Sequence, residues 1–144
     1  MTRPDGPTEV RVDGPAAQAW LDALHDGLAR LWEGGPAVPD ADRLRFETAV
    51  VEIATNVVRH ARPADPGDAG PVRASVLLRV GPDLIEAEIR DGGRHVVVDL
   101  DPAPVDEMAE SGRGIALARA AVDRVSLARE GADNVWRLTR RWAG

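Results

Sequence analysis

Apolar residues recur along this chain at two periods, one helical and one alternating. "PAAQAWLDALHDGLARLW" carries Ala16, Ala19, Trp20, Ala23, Leu24, Leu28 and Leu31 at helical spacing, with Pro15 suited to a first turn. "EGGPAVP" breaks that pattern. The next apolar stripe predicts a second helix from about Ala41 to Ala61, with Asp40 as its N-cap, ended by the turn-rich "RPADPGDAGP". "TEVRV" alternates, as a first strand would. "VRASVLLRV" and "LIEAEIR" read as two strands of a hairpin joined by "GPD", and "VSLARE" and "NVWRLTRRW" as a second hairpin around "GAD". "IALARAAVDRV" is a short helix between the hairpins. Before it lies the long, irregular "DGGRHVVVDLDPAPVDEMAESGRG", with glycines at both ends. Structureless loops of that length are usually functional or mobile.

The expected order is strand, two helices, two strands, loop, helix, two strands. Hairpins favour an antiparallel sheet, and helices on one face of it make an α/β (α+β) two-layer sandwich. One domain over residues 8–141 is expected, with residues 1–7, polar and holding two prolines, as a flexible tail.

The second helix carries an unusual row. At about 100° per residue, Val50, Val51, Ala54, Val57, Val58 and Ala61 share one stripe. Glu52, Asn56 and Arg59 fall opposite, with His60 at the margin. A Glu and an Asn four residues apart suit an ordinary solvated face. They equally suit the floor of a cavity, if the long loop folds over them.

Composition narrows the chemistry. The chain has 144 residues, 44% hydrophobic, enough for one domain with a core. There is no cysteine, so disulfides and thiolate metal sites are excluded. All 18 basic residues are arginine, which excludes a P-loop lysine, the lysine of eukaryotic-type protein kinases and Schiff-base chemistry. A formal net charge of −6 and few aromatics weigh against a nucleic-acid surface. No apolar run approaches the ~20 residues of a membrane span. A soluble, cytoplasmic protein is expected.

Two glycine clusters complete the pattern. "IRDGGRH" puts Asp91 and Gly93 at a strand end, where Asp and Gly also make plain turns. "ESGRGIALARA" puts Gly112 and Gly114 before a helix, where glycines let an anion approach free N–H groups or simply open the helix. Taken together, Glu-x-x-x-Asn on a helix, Asp-x-Gly after a strand and Gly-x-Gly at the next helix resemble the GHKL ATPase superfamily and its Bergerat nucleotide-binding fold. The wording "ExxTNVVRHA" and "ESGRGIALARAAVDRV" looks closest to the anti-sigma-factor serine/threonine kinases of bacterial partner switching.

The resemblance implies roles. Glu52 would be the general base and Asn56 the ligand of Mg²⁺ on the ATP phosphates. Asp91 would accept from the adenine amino group, with Gly93 letting the base lie close. Gly112 and Gly114 would border the phosphates, residues 94–111 would form a lid, and Arg59 and Arg113 would be phosphate contacts by charge. His60 matches a histidine common in the family. Arg94 and His95 stand where many members have another glycine, and Asn134 where many have a threonine that touches the nucleotide. The implied partners are a sigma factor and a STAS-domain anti-anti-sigma protein, with a homodimer usual and no direct nucleic-acid binding. A module that binds a partner without catalysis is the alternative.

Overall fold

The computed structural model describes residues 8–65, 67, 70–98, 100 and 110–142, and of 110–112 the backbone alone. The expected N-terminal tail and most of the expected lid, residues 99 and 101–109, lie outside the described residues. The elements are β1 (Thr8–Pro15), α1 (Gln18–Gly34), α2 (Asp40–His60), β2 (Arg73–Val80), β3 (Leu84–Asp91), α3 (Glu110–Ala121), β4 (Arg124–Glu130) and β5 (Asp133–Arg141). The five strands form one sheet in the order β1-β2-β3-β5-β4, antiparallel at every pairing. The three helices pack on one face of it, giving the expected α+β two-layer sandwich.

Period-two alternation builds the inner face. Ala74, Val76, Leu78 and Val80 of β2, Ile85, Ala87 and Ile89 of β3, and Trp136 and Leu138 of β5 are all buried. They meet Trp20, Leu24, Leu28 and Leu31 of α1 and Phe46, Ala49, Val50, Ile53, Ala54 and Val57 of α2. The buried stripe of α2 is rotated slightly from the expected one. Ile53 and Ala49 lie at its centre, and Val51 and Val58 are only partly buried.

Several boundaries differ from the sequence reading for tertiary reasons. β1 extends through Pro15 because Gly14 and Pro15 continue the ladder with Ala74 and Arg73. Pro15 thus ends an edge strand, where a missing N–H is tolerated, and does not open α1. Asp40 is the first residue of α2, and Pro39 is its N-cap, without a side-chain cap bond. α3 begins at Glu110, ahead of the expected Ile115, and ends at Ala121. Its expected continuation to Val125 is overridden by the sheet: Asp123 N–H donates to Thr139 O at 2.9 Å, and β4 starts at Arg124. The β4–β5 turn places Gly131 at φ 60°, a conformation glycine adopts without steric cost.

Arg140 ties the helical layer to the sheet. Its Nε and Nη2 donate to Asp42 Oδ1 of α2 at 3.0 and 2.7 Å, and its Nη1 donates to Ala121 O at the end of α3 at 3.0 Å. One guanidinium thus holds the start of one helix and the finish of another against β5.

Candidate functional site

Register assembles the first part of the site. Asp91 pairs with Asn134 across β3 and β5, and Asn134 pairs with Arg129 across β5 and β4. Asp91 is in phase with the buried Ile85, Ala87 and Ile89, and Asn134 with Trp136 and Leu138, so both point into the helical layer. They are the buried polar residues of the core, at 4% and 1% exposure. Asn134 Nδ2 donates to Asp91 Oδ1 at 3.0 Å, and Gly93 N–H donates to the same oxygen at 3.0 Å. Arg129 Nη1 donates to Gly93 O at 2.9 Å and to Asn134 Oδ1 at 3.2 Å.

This network fastens the start of the long loop. Asn134 Nδ2 donates to Arg94 O at 2.8 Å, and Val96 N–H donates to Asn134 Oδ1 at 3.0 Å. From the other side, Arg94 N–H donates to Arg62 O at 2.7 Å, just after α2. Gly93 sits in the middle of these bonds. A Cβ there would meet Arg62 O and Asp91 Oδ1, each at 2.9 Å, closer than real Cβ atoms come. Glycine is therefore required by the backbone of residue 62 and by the carboxylate itself.

The row on α2 forms the second part. Glu52 and Asn56 are half-buried, one turn apart, whereas Arg59 and His60 are exposed at the end of the helix. The row does not face open solvent, because α3 packs along α2. A Cβ on Gly114 would stand 3.0 Å from Glu52 Oε2, so glycine lets the first turns of α3 close on this carboxylate. Gly112 and Gly114 are the third and fifth residues of α3, not a loop before it. The N–H of Gly112 is among the first four of the helix, which lack a partner within it; that of Gly114 is not. Arg113 is exposed beside them.

The structure brings Glu52 and Gly114 together, and separately Asp91 and Gly93. Three participants went unassigned in the sequence reading: Arg62 through its carbonyl, Arg129, and Asn134 as the partner of Asp91. A signal for two of them was present. Arg129 and Asn134 are polar residues in the inward phase of strands whose other inward positions, apart from Arg140 at the far end of β5, are apolar. Among the described residues no cluster of three or more His, Cys, Asp or Glu could hold a metal by itself. A groove of about 310 Å³ where β1, β2 and β3 meet is lined by Asp91 and Gly92 among others, and its lining includes neither Glu52 nor Asn56.

With this geometry in view, the comparisons are decisive on class. The family model for the histidine kinase-like ATPase domain matches residues 15–140. The chain belongs to that family, the GHKL type of ATPase, and the ATPase domain implies ATP as its ligand. No curated protein matches the chain. Among solved structures, the RsbU and RsbW domains of Rv1364c from Mycobacterium tuberculosis superpose with a TM-score of 0.60 at 17% identity. The match covers 96% of this chain and 33% of that one, so the chain spans about a third of the length of the structure it resembles. At that identity the likeness is one of fold. No described helix is long and apolar enough to cross a membrane.

Proposed function

We propose that this protein is an ATP-dependent serine/threonine protein kinase acting as an anti-sigma factor in partner switching. It transfers the γ-phosphoryl group of ATP to a serine of a STAS-type anti-anti-sigma protein, and in the alternative complex it sequesters a sigma factor. The observation that carries the reading is the placing of Glu52 and Asn56 one turn apart, on a half-buried helix face closed by the glycine-bearing start of α3. The partner-switching assignment draws further support from the resemblance of the motifs and from the fold shared with a structure containing an RsbW domain.

In this reading Asp91 accepts a hydrogen bond from the adenine amino group at the end of β3. Glu52 takes the proton of the attacking serine hydroxyl. The amide oxygen of Asn56 would hold Mg²⁺, a hard cation that takes oxygen ligands and keeps several waters, so one protein oxygen beside the phosphates would suffice. Bound there, Mg²⁺ would offset charge on the phosphate oxygens. The first turn of α3, with the N–H of Gly112 and the guanidinium of Arg113, offers donors to the phosphates, and Arg59 adds charge from the end of α2. Catalysis is then largely positioning and electrostatics. The protein works in the cytoplasm as a homodimer, without contacting nucleic acid.

The test mixes the protein with Mg²⁺, labelled ATP and a candidate STAS protein, and looks for label on serine. Glu52→Ala is expected to slow transfer by about 10²-fold or more while nucleotide still binds. Asn56→Ala is expected to remove the Mg²⁺-dependent part of ATP affinity. Undiminished transfer by Glu52→Ala would rule out Glu52 as the base. ATP binding with no transfer to any partner would favour the second reading, a nucleotide-binding module that acts only by sequestration. Arg94 and His95, exposed where many family members continue with glycine, are the feature on that side.

A further inference from the structure

Asn134 stands where the family resemblance places a residue that touches the nucleotide, yet its side chain has nothing left to offer one. An asparagine amide has two N–H donors and one oxygen with two lone pairs. Here the donors go to Asp91 Oδ1 at 3.0 Å and Arg94 O at 2.8 Å. The oxygen accepts from Val96 N–H at 3.0 Å and from Arg129 Nη1 at 3.2 Å. The amide cannot be turned over, since its NH₂ would then face Val96 N–H and the Arg129 guanidinium.

Asp91 is loaded on one side. Oδ1 receives both Asn134 Nδ2–H and Gly93 N–H, and Oδ2 has no hydrogen bond to a described residue. No buried side-chain oxygen among the described residues lacks a partner, so Oδ2 meets solvent space. An aspartate carboxylate turns about its χ2 bond, whose preference is broad, so it would otherwise take several settings. Two donors on Oδ1 choose one.

We infer that Asn134 is a positioning residue for base selection: it clamps the Asp91 carboxylate by Oδ1 and leaves Oδ2 as the acceptor presented to a 6-amino purine. It does so without contacting the nucleotide. This rests on the reading of the site as an adenine-nucleotide site. The 6-amino group of adenine donates to a fixed carboxylate oxygen, whereas the 6-oxo group of hypoxanthine offers a second acceptor to it and is rejected. Arg129 completes the arrangement by fixing the amide of Asn134 and the carbonyl of Gly93.

The test measures ADP and IDP affinities by calorimetry at pH 8, with amide exchange at Val96 as a second readout. Asn134→Asp keeps an acceptor for Val96 N–H and Arg129 but puts an oxygen where Asp91 needs a donor. It is expected to reduce the preference for ADP over IDP about ten-fold, the scale of one hydrogen bond to a charged group, while Val96 stays protected. Asn134→Ala is expected to reduce the preference and also to release Val96. A general loss of stability would weaken both nucleotides alike and leave their ratio unchanged.

A ratio within about two-fold of wild type in either folded variant would overturn the inference and leave the adenine reading standing. Wild-type protein that binds neither nucleotide would overturn the adenine reading, and the inference with it. Should neither variant fold, the wild-type Asn134 side-chain amide decides by NMR. Slow exchange in the presence and absence of ADP is the expected result, and rapid exchange with solvent in the free protein overturns the clamp.

Discussion

On the helix-covered face of the sheet, Asp91, Asn134 and Arg129 meet in one transverse row across β3, β5 and β4. On the bare face, one residue away along the same strands, Glu88, Arg90, Glu130, Asp133 and Arg137 form a lattice. Arg90 donates to Glu88 at 3.1 Å and to Glu130 at 3.1 Å, and Arg137 donates to Glu130 at 2.5 Å and to Glu88 at 2.9 Å. Both faces join acids to donors at similar distances. They differ in burial, and burial sets what each bond is worth. Asp91 Oδ1 and the Asn134 amide lie in the buried interior, so each must satisfy the other. The lattice partners are 28–42% exposed, and water replaces a lost partner.

The lattice still has a structural effect. Arg90, on β3, reaches Glu130 on β4 and so crosses β5, where Val135 lies between Arg90 and Ala128 in register. Val135 is fully buried although it points away from the helices. The Arg90–Glu130 ion pair spans the strand that carries it.

Four substitutions test this contrast. Asp91→Ala should have the largest effect, since it leaves one N–H of Asn134 Nδ2 and the Gly93 N–H facing no acceptor in a buried site. A loss of about 2–4 kcal/mol in urea denaturation is expected, together with loss of adenine-nucleotide binding. Gly93→Ala follows, at about 1–3 kcal/mol, because its Cβ has backbone on one side and the carboxylate on the other. Arg140→Met removes the bonds to Asp42 and Ala121 and should cost about 1–3 kcal/mol, with faster amide exchange at the end of α3.

Glu88→Gln on the bare face should cost less than about 1 kcal/mol at neutral pH and less again in high salt. Its effect also carries a pH signature. The hydrogen bond from Arg90 is the main cause that holds the Glu88 carboxyl below the usual carboxylate range, and the bond from Arg137 does the same for Glu130. A carboxyl depressed in the folded state stabilises above its unfolded value, about 4.3, and loses that contribution as pH falls through the folded value. The difference between wild type and Glu88→Gln should therefore shrink as pH drops below about 4. If Glu88→Gln proved as costly as Asp91→Ala, burial would not be what separates the two faces.

Much of the site was visible in the order of residues. Glu52 and Asn56 stood out as polar positions opposite an apolar stripe, and Asp91 and Gly93 as an Asp-x-Gly ending a strand. The boundaries of α3 were less legible. Val122 to Val125 are as compatible with helix as with strand, and Thr139 O, on another strand, decides between them by taking the Asp123 N–H. The glycines of α3 read as a loop before the helix because nothing local shows that Glu52, more than fifty residues earlier, needs the space beside Gly114.

The sequence by itself determined the elements, the two-layer class and the polar row on α2. Those follow from periodicity and from the composition of turns, which act within a few residues. It also carried the motif order that marks the family. Only the tertiary structure decided that Asp91 has Asn134 beside it, that Arg129 backs the pair, and that Gly93 is squeezed by Arg62. Those contacts depend on the register of strands far apart in the chain, and register is chosen by the whole core at once.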